Sequence, residues 1–299
     1  MTRILARKDP GSFKTLPLQI DANADMLSYR SLGLPLNFTQ MLERRRPIEV
    51  DDSERFSVQL ANLGVSVRLT LKWQNRDYWV LVRQRREDRG DVVLKLISGY
   101  VPAHELNLPL LTAIHEVAEE CLLETPEGWL PGRYGHTWLP TPYQSILRYR
   151  QTCEFKLSPL SGSARSVRCG EMGLIERPRA YVHLPTASLQ LVYDLTLQLP
   201  QDVRQLSLFH VDERLVDGQL VAALERQRPD VYLLPLNGGA PGDQLFQLRR
   251  GELLPTSTRG IWLSESFAEQ DGWLVRAERI RWQDWQTRLR AAEQARLAS

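Results

Sequence analysis

A chain of 299 residues, 42% hydrophobic and 25% charged, has the makeup of a globular protein and enough apolar material for one large domain or two modest ones. Its 38 basic and 36 acidic residues leave a formal net charge of +2, which excludes a whole-molecule field able to gather nucleic acid or draw the chain to a membrane. Three cysteines, Cys121, Cys153 and Cys169, form no C-x-x-C pair, which argues against a structural zinc or redox couple and for a reducing compartment. The N-terminal "MTRILARKDPGSF" lacks the apolar stretch of an export signal, and no apolar run is long enough to span a bilayer. The expected location is therefore cytoplasmic, with neither membrane nor nucleic acid as partner.

Residues 1–54 mix Pro, Asp and Arg and read as an N-terminal extension, with a short helix at "NFTQMLERRR" and a solvated linker at "ERRRPIEVDDSER". "VSVRLTLKW" then alternates apolar with polar residues, "QNRD" supplies a turn, and "YWVLVRQRR" alternates again, which predicts an antiparallel hairpin. "EDRGD" breaks the chain and "VVLKLIS" is a third strand leading into Gly99. After the loop "GYVPAHELN" a helix begins, with Pro109 in its first turn, and runs to about Leu123, where "ETPEG" ends it. Further strands are expected at "SILRYRQTCEFKLS", "RAYVHLP" and "SLQLVYDLTLQL". The last hundred residues or so predict a helix at "QLVAALERQR", strands near "VYLLPL" and "QLFQLRR", and a final amphipathic helix, "WQDWQTRLRAAEQARLA". No repeat of fixed period is present, which excludes solenoids and propellers, and the expected class is mixed α+β.

The helix at 109–123 carries the chemistry. At about 100° per residue, Leu110, Ile114, Val117, Ala118 and Cys121 share one arc, a face that packs on a sheet. Glu116, Glu119 and Glu120 fall together on the opposite side, because spacings of three and four bring side chains together. Like charges so placed repel unless water screens them or a cation holds them, and a hard divalent cation takes oxygen ligands of this kind.

What precedes the helix favours the cation. Gly99, the five residues "YVPAH" and Glu105, followed by "HEVAEECLL" (His115 to Leu123), resemble the signature of the Nudix hydrolase family. That signature is a Gly, five residues, a Glu, seven residues, then Arg-Glu-apolar-x-Glu-Glu-x-Gly-apolar. Glu116, Val117, Glu119, Glu120 and Leu123 match its close residue for residue. Three features depart: the spacer "LNLPLLTAI" has nine residues, His115 stands where Arg is expected, and Leu122 stands where Gly is expected.

The resemblance implies a Nudix-like α/β/α sandwich, a mixed sheet with the carboxylate helix packed on it. It covers residues 55–200, with 201–299 as a C-terminal extension. "AERIRWQDW" is similar to a segment near the family's C-terminal helix, which implies as an alternative that the core runs to the end around an insertion. The implied activity is Mg2+- or Mn2+-dependent hydrolysis of a pyrophosphate bond in a nucleoside diphosphate linked to another group. Glu116, Glu119 and Glu120 would be metal ligands, joined by the Gly99 carbonyl, with Glu116 and Glu120 as the catalytic pair and Glu105 and His115 in support. Glu171 and Glu176 are candidates for a further acidic base. The family's habit of dimerising implies a homodimer. The altered Arg and Gly positions carry an alternative of another class, a Nudix-fold protein that has lost catalysis and acts as a nucleotide-binding sensor or interaction module.

Other motifs carry less. "HEVAE" shares its His and first Glu with the zinc-protease motif H-E-x-x-H, but Glu119 replaces the second imidazole. There is no G-x-S-x-G elbow and no G-x-x-x-x-G-K-[ST] phosphate loop. "LNGGAPGDQ" reads as a turn, His104 as an exposed loop residue, and Trp282 and Trp285 as core packing.

Overall fold

The alternation at residues 65–86 closes into a hairpin. Strands β5 (Asn62–Trp73) and β6 (Arg76–Arg86) pair antiparallel out to Trp73↔Arg76. Gln74 and Asn75, at φ 47° and 62°, form the two-residue turn whose backbone twist suits a hairpin. The structure, a computed structural model, describes residues 2–86, 90–160, 165–217, 219–268 and 270–298.

β5 is buried along almost its whole length, which requires cover on both faces of the sheet, and α2 supplies part of it; strands also flank β5 on both edges. On one edge it pairs with β6 over Leu69–Trp73 and with β8 (Ile97–Tyr100) over Gly64–Val67. On the other runs the parallel strand Ser188–Gln198, in register from Ser188↔Asn62 to Gln198↔Lys72. Arg68 and Asp194, paired neighbours across these strands, form a bidentate ion pair at 2.6 and 2.9 Å, and the guanidinium lies over the Trp79 ring. Strand β7 (Asp91–Lys95) lies beside β6.

Helix α2 (Pro109–Glu120) packs on this sheet through Leu110, Ala113, Ile114 and Val117, all fully buried. Pro109 occupies its first turn, where its missing N–H costs nothing, and Leu108 offers no side-chain cap. The helix stops at Glu120. Cys121 is already extended and opens β9 (Cys121–Thr125), so the chain leaves the helix without the left-handed turn that a glycine would serve. β9 pairs with Ser207–Val216, that strand with Gln219–Glu225, and that in turn with β1 (Thr2–Lys8). This five-stranded sheet brings together the chain's first residues, the segment after α2 and residues 207–225.

The expected α/β/α sandwich is not what forms. The structure is mostly β, 51% strand against 16% helix, with sheets that include one of sixteen strands. Among the described residues α2 is accompanied only by the seven-residue α1 (Phe38–Arg44) and the terminal α3 (Trp282–Ala298), so helices do not cover two faces of a central sheet. Strands close the core instead. Leu18, Ile20, Phe56 and Leu60, from the three-stranded sheet of β2 (Leu18–Ala22), β3 (Leu27–Ser31) and β4 (Phe56–Leu60), share one cluster with Val65 and Ile114.

Local expectations are corrected too. "QLVAALERQR" is a strand over Gln219–Glu225, since Val221, Ala222, Ala223 and Leu224 are buried in the interior of a sheet and pairing on both edges overrides helix propensity. In "SILRYRQTCEFKLS" only the end belongs to a strand, Phe155–Pro159. Trp282 and Trp285 pack on each other, and Trp285 on Phe267, anchoring the start of α3. No helix among the described residues is long and apolar enough to cross a membrane.

Candidate functional site

Glu116, Glu119 and Glu120 of α2 all line a cavity of about 550 Å³, Glu116 and Glu120 reaching over strand β8 of the sheet on which the helix packs. Gly99, on the neighbouring strand β8, lines it too, and the Glu116 carboxylate rests directly against it, where any Cβ would collide. The sequence-predicted metal set is thus gathered on one wall. Such a volume suits a small ligand.

Two lysines supply the positive charge. Lys8, the last residue of β1, reaches Glu119 at 3.1 Å and Glu213 at 3.0 Å. Lys95, the last residue of β7 and only 7% exposed, donates to the carbonyl and hydroxyl of Ser98 at 3.2 and 3.0 Å and stands 3.5 Å from Glu120. Among the described residues Glu116 has neither a hydrogen bond nor an ion pair.

The carboxyl groups titrate accordingly. Burial holds Glu116 well above the ordinary carboxylate range, the charges of Glu120 and Glu119 raise it further, and Lys95 opposes them. Burial also pushes Glu120 up to about 7, against the pull of Lys95 and of the Ser98 N–H. Burial works to deprotonate Lys8, but Glu119 and Glu213 outweigh it and keep the ammonium charged. Beneath the wall His210 is held neutral: burial, then Lys95, lowers its imidazole to about 4. Its Nδ1 faces the Glu120 carbonyl at 3.2 Å, and among the described residues its Nε2 has no hydrogen-bond partner.

The cavity has a second character. Phe13, Phe38 and Tyr100, with ring centroids 6.1 to 6.3 Å apart, form an aromatic cluster that lines it. Arg45 donates to the Tyr100 hydroxyl at 2.6 Å and lies over that ring. The chain places Phe38 through a capping box, in which Asn37 and Gln40 exchange hydrogen bonds at the start of α1. Arg85 is exposed and lines the same cavity, whereas Arg86 is neutralised by Asp91 and Glu265.

Not every expected residue joins the wall. Glu105 accepts from Thr112 Oγ1 at 2.6 Å and lies 3.8 Å from His115 Nδ1, so these two brace the start of α2 and do not line the cavity. His104 is an exposed neighbour of Glu105. Glu171 lies in the turn between Arg165–Cys169 and Met172–Glu176, and Glu176 ends the second of these strands; neither lines the cavity. Sequence reading missed Lys8 and Glu213, which enter from strands distant in sequence, and Lys95, which ends the strand before Gly99. A basic residue just before the Gly99 loop was the one available signal.

The donor set fits a hard divalent cation in kind, four carboxylates of which Glu116 has no counter-charge of its own. In arrangement, no three acidic, histidine or cysteine side chains among the described residues are close enough together to hold one ion. Glu119 and Glu213 are instead engaged by Lys8. No model of a known protein family matches the chain, and no curated protein matches it.

Proposed function

We propose that the cavity is the site of a Nudix-type, Mg2+- or Mn2+-dependent hydrolase that cleaves a pyrophosphate bond in a nucleoside diphosphate linked to another group. The observation that carries this reading is the gathering of Glu116, Glu119, Glu120 and Gly99 on one cavity wall. It rests on that wall and on the residue pattern of 99–123, not on the fold. Phe13, Phe38 and Tyr100 offer flat apolar surface for a base, and Arg45 and Arg85 offer charge for phosphate.

Glu116, Glu119 and Glu120 are the carboxylates that the residue pattern assigns to the cation, and they would have to draw together, with Glu119 released from Lys8, to hold it. A bound divalent ion neutralises phosphate charge and makes its water more acidic. Glu116 and Glu120, the catalytic pair of this reading, would act largely through the ion they hold. The reading places the protein in the cytoplasm, which its three free thiols support.

Incubation with Mg2+ and a panel of nucleoside diphosphate derivatives tests it. Wild type should turn over at least one member, and Glu120→Gln should lose roughly a hundredfold or more of the rate. Turnover of none, or equal turnover by the variant, overturns it. Lys8 and Lys95 already balance part of the wall's charge, which favours a second reading, a nucleotide-binding module without catalysis. Saturable binding of a panel member without turnover selects that one.

A further inference from the structure

We propose that the side of the cavity away from the carboxylate wall is a nucleobase subsite, in which Phe13, Phe38 and Tyr100 hold a planar heterocycle and Gln190, with Ser66 beside it, reads its hydrogen-bonding edge. The inference rests on the nucleotide reading for its substrate class alone and needs neither a cation nor hydrolysis.

Along β5, Val65 and Val67 face α2 and cluster with its Ile114, so Gly64 and Ser66 turn to the other face. β8 pairs with β5 alone, Tyr100 opposite Gly64 and Ser98 opposite Ser66, which puts Tyr100 on that other face as well. On the other edge of β5, Gln190 is the parallel neighbour of Gly64. Its carboxamide lies over the Cα of Gly64, in space that a Cβ there would fill, and so reaches toward Tyr100. Gln190 Nε2 donates to Ser188 Oγ at 3.2 Å, and the buried Thr186 and His183 extend that chain at 3.0 and 2.6 Å, which fixes how the carboxamide points. Among the described residues Gln190 makes no other hydrogen bond, so its Oε1 and a second N–H remain for a ligand. The Ser66 hydroxyl, on a residue 5% exposed, likewise has no partner among the described residues, and both residues line the cavity. Phe13, Phe38 and Tyr100 are only partly buried, and their rings are tilted or edge-on to one another, so each keeps surface toward the same space. Aromatic surface beside a fixed donor–acceptor pair is the chemistry that recognises a nucleobase, by its flat face and by its edge.

The experiment is calorimetry and saturation-transfer NMR on the full-length protein in EDTA, with AMP, GMP, CMP, UMP and ribose phosphate as probes. At least one nucleotide should bind saturably, its base protons the most strongly saturated, and ribose phosphate should bind roughly tenfold more weakly or worse. Gln190→Leu should lose roughly tenfold for the preferred base and flatten the differences between bases, whereas Phe38→Leu should weaken every nucleotide alike. Gly64→Ala, which displaces the carboxamide, should reproduce Gln190→Leu and add nothing to it, and it takes its place should the leucine variant not fold. No nucleotide binding, ribose phosphate bound equally well, or wild-type affinity and selectivity in Gln190→Leu overturns the proposal. Base binding in EDTA while the substrate panel with Mg2+ stays intact removes the hydrolase and leaves the subsite. Turnover that is indifferent to Gln190→Leu does the reverse.

Discussion

The Glu116 carboxylate lies against the Cα of Gly99, in space that a Cβ at residue 99 would occupy. Gly99 is therefore needed for room, not for an unusual backbone angle, since it is not among the glycines at positive φ. The colliding atoms are the far end of a flexible side chain. Gly99→Ala should fold with a loss of about 1 kcal/mol or less while turning Glu116 out of place. If the wall takes Mn2+ as proposed, the effect of this change on Mn2+ binding should be large in wild type and close to zero in a Glu116→Ala background. A double-mutant cycle reads that coupling, and additive effects would show that Gly99 acts through something other than Glu116.

The raised carboxyl groups make stability depend on pH with a definite sign. Glu120 titrates at about 7 folded, against 4.5 for the free group, so the stability it contributes is present below about pH 4.5 and lost as pH rises through about 7. The whole effect is at most roughly 3 kcal/mol. Glu116 acts in the same direction. His210 acts oppositely: with its folded value near 4 against 6.5, it costs stability as pH falls through that window. Urea midpoints of wild type and Glu120→Gln at about pH 5 and about pH 8 isolate the first contribution. The variant should lose less stability across the interval, and identical slopes would contradict the burial of Glu120.

What sequence revealed and what it hid follow from the range of each interaction. The hairpin is legible because alternation and a turn signal lie within some 25 residues, as is the packed face of α2, whose period is set by neighbours three and four apart. The end of α2 is not legible: "CLLE" continues a helical apolar pattern, and it is pairing with the distant Ser207–Val216 on one edge, joined by the short Gly128–Trp129 on the other, that makes it a strand. "VAAL" at 221–224 fails for the same reason, since it is held as a strand by pairing on one edge with Thr2–Lys8, remote in sequence, and on the other with Ser207–Val216. The fold class went wrong because a local resemblance over residues 99–123 says nothing of the distant strands that complete the sheets. At the site, the glutamates of one helix could be grouped by angle. Their counter-charges could not, since Lys8 is 111 residues from Glu119 and 205 from Glu213.

Lys95 should prove more important to stability at alkaline pH than at acid pH. Lys95→Met keeps much of the apolar stem and removes the ammonium that faces Glu120 and Ser98. At about pH 6 Glu120 can take up a proton, which limits the cost. At about pH 8 it must either stay charged without its partner or bind a proton against the pH, and the loss should grow toward roughly 3–5 kcal/mol. Adding Glu120→Gln should restore most of it. A loss independent of pH, or no rescue by the second substitution, would mean that Lys95 matters through its contact with Ser98 alone.

The turn of the hairpin carries strain that substitution can relieve. Gln74 and Asn75 both sit at positive φ, and asparagine tolerates that region better than glutamine does. Replacing the pair with Asn-Gly, through Gln74→Asn and Asn75→Gly, gives each position a residue suited to the turn and should stabilise the protein by about 1 kcal/mol. Asn75→Val, a β-branched side chain in the left-handed region, should destabilise by more than about 1 kcal/mol. Both changes lie at the tip of β5 and β6, at the far end of β5 from its pairing with β8, so the carboxylate wall should be unaltered. Urea unfolding of the two variants beside wild type measures the pair. A neutral Asn-Gly variant together with a harmless valine would show that the turn adjusts freely and does not fix the register of β5 against β6.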